Sequence, residues 1–99
     1  MARFDVYPNP GSEGKLLDVQ ADLLEGLNTR VVVPMMRLEV GPAPASHLNP
    51  VFTIRNQPMV MATQFLAAVP VTILSQPETN LGQYRDEIVA AIDFLFQGF

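Results

Sequence analysis

The sequence predicts a mainly β (α+β) fold in which a small antiparallel barrel or bent sheet carries one C-terminal α-helix. Short segments of alternating or β-branched apolar residues recur along the chain, as they do in strands. Nine prolines and six glycines among 99 residues interrupt the chain too often for a helical bundle. Only the C-terminal stretch, residues 83–96, has apolar residues spaced at the period of a helix. These patterns are typical of a single domain, residues 1–99, with a helix packed against its sheet.

The first two strands are predicted to form a hairpin with a long exposed loop. Residues 4–7 and 15–20 alternate between apolar and polar side chains, and the Pro- and Gly-rich residues 8–14 connect them. The side chains expected to face inward are Phe4, Val6, Leu17 and Val19, with Asp18 and Gln20 on the opposite face of the second strand.

Residues 22–26 break this alternation. Adjacent residues of a strand point to opposite faces, so Leu23 and Leu24 cannot both face the core from a strand. Two interpretations stay open. Either one leucine is exposed or held at an interface, or the segment is a short turn packed on the sheet edge.

The middle of the chain supplies the remaining strands. Residues 30–33 are strongly strand-like, and Pro34 ends this strand or places it at an edge of the sheet. We expect the methionines of this region to fill the core, because Met is an adaptable side chain. The other expected segments are a bent strand at 35–40, a loop at 41–46, a strand, turn and strand at 51–55, 56–58 and 59–63, and a strand at 69–74.

The C-terminal stretch predicts an amphipathic helix at residues 83–96, with Asn80 or Gly82 as its N-cap. Asp86 and Glu87 fall in the first turn, where carboxylates oppose the positive end of the helix dipole. Apolar residues recur at steps of three and four, the period of a helical stripe. The stripe consists of Leu81, Tyr84, Ile88, Ile92, Leu95 and Phe99, widened by Val89 and Phe96.

The sequence ends in apolar residues, with no basic residue after Arg85. An apolar terminus is expected to be buried in its own core, in a second subunit or in a partner. Charged residues are only 16% of the chain, against about 25% in typical proteins. This shortage favours an oligomer, because a monomer of this size would expose much apolar area.

Composition argues against several classes of function. The net charge is −4 and the six basic residues are scattered, whereas nucleic-acid binding needs a basic stripe. We therefore expect no direct nucleic-acid binding. The absence of cysteine excludes disulfides and thiolate metal sites. With no apolar signal segment and no stretch of membrane-spanning length, we expect a cytoplasmic protein that does not contact the membrane.

The sequence contains no motif that predicts an enzyme. The lone His47 lies in a Pro-rich loop, and no neighbouring residue pattern provides the orienting group that a catalytic triad requires. No dinucleotide fingerprint, phosphate loop or HExxH motif occurs. The carboxylates of the C-terminal helix are expected to be solvated. We expect no catalytic residue, metal or cofactor.

A series of short segments, in the same order along nearly the whole chain, resembles the CcdB family of toxins from type II toxin–antitoxin modules. Each segment is weakly specific alone, but their order is specific. They are Phe-Asp-Val-Tyr at 4–7, Asp-Val-Gln-Ala-Asp-Leu-Leu at 18–24, Arg-Val-Val-Val-Pro at 30–34, Leu-Asn-Pro-Val at 48–51, Ala-Ala-Val-Pro-Val at 67–71 and Ala-Ile-Asp-Phe-Leu-Phe-Gln-Gly-Phe at 91–99.

The resemblance implies an SH3-like barrel with a C-terminal helix, shared with MazF-type toxins. It implies a homodimer whose two helix ends lie near the two-fold axis. It also implies that the protein binds the A subunit of DNA gyrase and traps the gyrase–DNA cleavage complex, and that an antitoxin with a disordered C-terminal tail neutralises it. Antitoxin-binding residues are not assigned. The gyrase-binding residues implied are Leu23, Leu24, Asp93, Phe96, Gln97, Gly98 and Phe99.

Three of these positions depart from the family pattern. Gln97 replaces a Trp and Asp93 replaces an Asn, and at the third position Phe99 replaces an Ile. Losing an interface Trp typically costs about 2 kcal/mol or more. The alternative hypothesis is therefore a diverged member that keeps dimer and antitoxin binding but no longer poisons gyrase. A third hypothesis, a MazF-like endoribonuclease on the same barrel, is disfavoured by the acidic charge.

Overall fold

Residues 1–98, the part of the chain that the computed structural model describes, form a mostly antiparallel, nearly closed barrel and one C-terminal helix. The predicted fold class is confirmed. Phe99 lies outside the described residues, so its predicted place in the helical stripe stays a prediction. The strands are β1 Asp5–Pro8, β2 Lys15–Asp18, β3 Thr29–Arg37, β4 Val51–Ile54, β5 Gln57–Met61, β6 Ala67–Pro70 and β7 Thr79–Asn80, followed by helix α1 Arg85–Gln97.

The nine-residue strand β3 organises the sheet. The order is β4-β5-β3-β2-β1-β7, and β6 also pairs with β3. Along one edge β3 pairs with β2, and along the other it pairs first with β6 at residues 29–32 and then with β5 at residues 35–37. Every pairing is antiparallel, so connections between neighbouring strands can be short.

Pro34 lies inside β3 and neither ends the strand nor sits in an edge strand, so that expectation is wrong. The Pro34 carbonyl accepts a hydrogen bond from the Ala62 N–H at 2.9 Å, so the nitrogen of Pro34 also faces the β5–β6 side. On that side, Pro34 lies between the β3 residues that pair with β6 and those that pair with β5. The missing N–H therefore leaves no ladder partner unpaired.

Apolar side chains fill both faces of the β1-β2-β3 part of the sheet. Phe4, Val6, Leu17 and Val19 face the main core, as predicted. The opposite face is also covered, because a second cluster packs against it. That cluster consists of Tyr7, Leu16, Val32 and Leu74, with Val69 against it.

Most predicted element bounds differ from the structure by a few residues, and the larger differences have a local cause. The predicted strand at 69–74 is wrong: β6 ends at Pro70 and a 3-10 turn, Val71–Ile73, follows. Its partner strand β3 begins at Thr29, which pairs with Pro70, so the ladder ends there. Beyond the ladder, the Val71 N–H donates to the Asn28 carbonyl at 2.9 Å. The bent strand at 35–40 stops at Arg37, after which both Val40 and Gly41 N–H groups donate to the Arg37 carbonyl.

The β4–β5 turn consists of Arg55 and Asn56, not residues 56–58. Both have left-handed φ angles, 51° and 66°, the geometry of a type I′ hairpin turn. Asn is favoured there, since it tolerates the left-handed region better than most residues.

Helix α1 begins at Arg85, two residues after the predicted start, because Gly82–Tyr84 form a 3-10 turn. Tyr84 is the N-cap of α1 and makes no capping hydrogen bond, so the prediction of Asn80 or Gly82 as the N-cap is wrong. Asn80 Oδ1 instead accepts the Gly82 N–H at 2.7 Å. Leu81 and Ile88 of the predicted apolar stripe are buried against the barrel, as is the neighbouring Ala91. No helix among residues 1–98 is long and apolar enough to span a bilayer.

Candidate target-binding surface

The segment that breaks strand alternation is a 3-10 turn, Asp22–Leu24, which we call the leucine turn. None of its residues is buried. Leu23 is 97% exposed and Leu24 is 50% exposed. One leucine thus projects into solvent, as the first interpretation expected, and the segment is a short turn, as the second expected.

The end of helix α1 is also exposed. Phe96 is 68% exposed, although it lies at the margin of the apolar stripe. Gly98 closes the helix in the left-handed conformation with φ 78°, and its N–H donates to the Phe94 carbonyl at 2.9 Å. Glycine is the usual residue at this position because a side chain is strained there.

A largely apolar groove of about 480 Å³ separates the leucine turn from the helix end. We call it the terminal groove. Leu24 and Phe96, two of the predicted site residues, both line it. Its other lining residues are Arg3, Val19, Gln20, Ala21, Leu27, Thr29, Val31, Leu66 and Ile92.

Of the other predicted site residues within residues 1–98, none lines the terminal groove; they are Leu23, Asp93, Gln97 and Gly98. Asp93 lines a different cleft of about 350 Å³ together with His47, Ala90 and Phe94. Along a helix, residues three and four apart lie on the same side, so Asp93 shares an exposed strip with Phe96 and Gln97. The predicted set thus divides into groove residues and an adjoining strip at the helix end. Phe99 lies outside the described residues.

Leu27 is the groove residue that sequence reasoning missed most clearly. It is 51% exposed and lies three residues after Leu24. A signal was present, because Leu27 is a third leucine in a segment without strand alternation. Leu66, across the groove, carried no comparable signal, since only the fold brings it to the helix.

A buried polar cluster lies beside the groove. Arg30 Nη2 and Nε contact Asp18 Oδ2 at 2.6 and 2.8 Å, and neither side chain has exposed surface. Gln20 joins the pair, since its N–H donates to Asp18 Oδ1 at 3.1 Å. Burial raises the pKa of Asp18 above its usual value, against the opposing effect of the hydrogen bonds from Arg30 and Gln20. Within residues 1–98, Arg30 Nη1 has no hydrogen-bond partner.

The same polar cluster affects Tyr7, which packs on this face of the sheet. Burial, reinforced by the negative charges of Asp5 and Asp18, raises the pKa of Tyr7 to about 12. Tyr7 is therefore neutral at physiological pH and acts as a core side chain. Among residues 1–98, no three acidic or histidine side chains come together as a metal site.

Comparison with known proteins agrees with this architecture. A family model described as CcdB protein matches residues 3–98. Among solved structures, the Mycobacterium tuberculosis toxin MazF-mt6 superposes with a TM-score of 0.73, covering 93% of this chain and 95% of that one. The two sequences are 15% identical, so this second likeness concerns the fold alone.

Proposed function

This chain belongs to the CcdB family of toxins from toxin–antitoxin modules, and on that premise we propose that it is a homodimeric toxin that binds the A subunit of DNA gyrase. Binding at the cleavage stage traps the gyrase–DNA complex and blocks religation. The toxin acts as a poison and not as an enzyme, and the proposed target places it in the cytoplasm. Its family partner is an antitoxin, for which we propose a disordered C-terminal tail that folds on binding.

The observation that carries this proposal is the exposed apolar surface at the helix end. Phe96 and Leu23 are 68% and 97% exposed, and Phe96 shares the terminal groove with Leu24. Exposed apolar patches on small proteins mark interaction sites. Aromatic anchors beside a groove are typical of the few residues that dominate binding energy.

The distribution of basic side chains supports a protein target over a nucleic acid. Arg30 is buried against Asp18, while Lys15 pairs with Glu78 at 2.7 Å and Arg37 pairs with Glu13 at 3.1 Å. Three of the six basic side chains are thus paired with carboxylates. A surface that binds nucleic-acid phosphates needs several clustered basic side chains.

A gyrase cleavage assay tests the proposal. Purified protein is incubated with gyrase, ATP and supercoiled plasmid, and linear DNA released by denaturation is quantified. We expect linear DNA to accumulate, and Phe96→Ala to require about tenfold more protein, since an anchor residue contributes about 1.4 kcal/mol or more. Val51→Ala is the matched control, because Val51 is 44% exposed but lies on the distant edge strand β4.

Gln97 favours a second candidate, a diverged toxin that keeps dimer and antitoxin binding without poisoning gyrase. Gln97 is exposed at the end of α1, where an indole could supply a large contact area that an amide cannot. If the parent protein leaves the plasmid intact and Gln97→Trp produces linear DNA, this candidate replaces the first. An RNA substrate in a parallel reaction checks the ribonuclease hypothesis, which sequence-specific cuts would revive.

A further inference from the structure

The leucine turn has no core of its own, yet it is ordered as a single 3-10 turn. Asp22, Leu23 and Leu24 are all outside the core. A short exposed segment of this kind normally samples many conformations, which weakens any binding that needs one of them. Something other than apolar packing must therefore hold its shape.

The first anchor joins the start of the turn to the N-terminal segment. The Arg3 backbone N–H donates to Asp22 Oδ1 at 2.8 Å, and Arg3 Nε donates to the Val19 carbonyl at 3.0 Å. Phe4 next to it has φ 73°, a conformation that bulky residues rarely adopt. Its N–H is nevertheless fixed by the Asp18 carbonyl at 2.6 Å.

The second anchor joins the end of the turn to the buried polar cluster. Gln20 Nε2 donates to the Leu24 carbonyl at 3.0 Å, and Gln20 Oε1 accepts the Val31 N–H at 3.1 Å. The Gln20 backbone is itself held by Asp18 Oδ1 at 3.1 Å and by Arg30 Nη2 at 3.5 Å. Gln20 is only 6% exposed, so solvent competes little for these bonds.

We propose that Asp22 and Gln20 are positioning residues that hold the leucine turn in the shape its partner binds. The two side chains fix opposite ends of a segment whose two leucines are exposed. The buried Asp18–Arg30 pair supports the turn through Gln20 and so links the core to the exposed leucines. Naming gyrase as the partner rests on the proposed function, whereas the anchoring itself does not.

Amide hydrogen exchange measures the anchoring directly. The N–H groups of Leu24, Glu25 and Leu27 donate within the turn and its continuation. We expect their exchange to accelerate several-fold in Asp22→Ala, with Asp22→Asn restoring slow exchange because its amide oxygen can still accept the Arg3 N–H. Glu25→Ala is the control for loss of a charge, since the Glu25 side chain makes no hydrogen bond or ion pair within residues 1–98.

Binding of the same variants to the isolated gyrase A subunit gives the second measurement. If Asp22→Ala leaves the competent turn populated about one third of the time, its dissociation constant rises about threefold, and Asp22→Asn again restores binding. Gln20→Met, which keeps length but removes the donor, is expected to act like Asp22→Ala. If Gln20→Met fails to fold, the comparison of Asp22→Ala with Asp22→Asn still tests the proposal.

Two results overturn the inference. Exchange in Asp22→Ala as slow as in Glu25→Ala shows that Asp22 does not hold the turn. Faster exchange with unchanged affinity shows that the held shape is not the one the partner needs. If the parent chain does not bind gyrase at all, the proposed function fails, and the exchange data alone then decide whether Asp22 and Gln20 hold the turn.

Discussion

Arg30 and Asp18 form an ion pair with no exposed side-chain surface. Removing one charge from such a pair leaves the other buried and unpaired, at a cost of about 3–5 kcal/mol, whereas replacing both with apolar residues is often close to neutral. We predict that Arg30→Met lowers the free energy of unfolding by this amount, and that adding Asp18→Val recovers most of it. Urea unfolding of the two variants and the parent measures both effects.

The pH dependence of these variants provides the control. Because burial raises the pKa of Asp18, the folded chain takes up this proton at higher pH than the unfolded chain. The contribution of Asp18 to stability is then largest at low pH and is lost as pH rises through its folded pKa. Arg30→Met removes the hydrogen bond and the charge that lower this pKa, so Asp18 of the variant takes up its proton at still higher pH and the deficit should shrink on acidification. A deficit that is independent of pH would mean that lost packing, and not an unpaired carboxylate, is responsible.

At the level of elements, local patterns predicted strands wherever one face meets the core. The alternation that places Phe4, Val6 and Leu17 inward was sufficient. Strand ends were less predictable, because β6 ends where its partner β3 begins. Pro34 was misjudged for the same reason, since it lies where the partner of β3 changes from β6 to β5 and its missing N–H costs no ladder bond.

The candidate site was predictable only in part. The family resemblance implied Phe96 and Leu24 as site residues, and the fold brings them to one groove. Leu66 and the polar cluster of Asp18, Gln20 and Arg30 carried no local signal. Charged and amide residues that alternate in a strand normally face solvent, and only the second apolar cluster shows that this face is covered.

Gly98 is the C-cap of helix α1 and also a proposed gyrase-binding residue, and substitutions can separate these two roles. Its left-handed φ of 78° ends helix α1, and among residues 1–98 no atom outside its chain neighbours and its own helix's nearby backbone lies within 4 Å of a Cβ added there. We predict that Gly98→Ala lowers the free energy of unfolding by about 1 kcal/mol because of backbone strain, and that Gly98→Asn costs less, since Asn tolerates this region. Thermal unfolding measures this order.

Gyrase binding by the same two variants distinguishes the roles. If the target backbone approaches Gly98 closely, as the family resemblance implies, both side chains weaken binding to a similar extent. If Gly98 serves only as a helix cap, Gly98→Asn binds like the parent, and the proposed close approach is wrong.

At the scale of the whole molecule, the distribution of apolar surface supports the proposed homodimer. Leu24, Leu27 and Phe96 are each at least half exposed around the terminal groove, in a chain with only 16% charged residues. A second copy packed against Leu27 removes apolar area from water at roughly 25 cal/mol per Å². We therefore place the proposed homodimer on the Leu27 side of the groove, which leaves the exposed Phe96 and Leu23 to gyrase.

The dimer makes stability depend on protein concentration, because association favours only the folded chain. We predict a sedimentation mass of two chains at micromolar concentration and a melting temperature that rises with concentration. Leu27→Glu places a charge in the terminal groove and should abolish both effects. Val40→Glu is the matched control, since Val40 is 57% exposed but lines a separate cleft with Met36 and Arg37. If Leu27→Glu and Val40→Glu sediment alike, the groove is not the dimer interface. If the parent chain stays monomeric at all concentrations, the proposed homodimer is wrong. Gyrase would then bind the groove and helix end of a single chain.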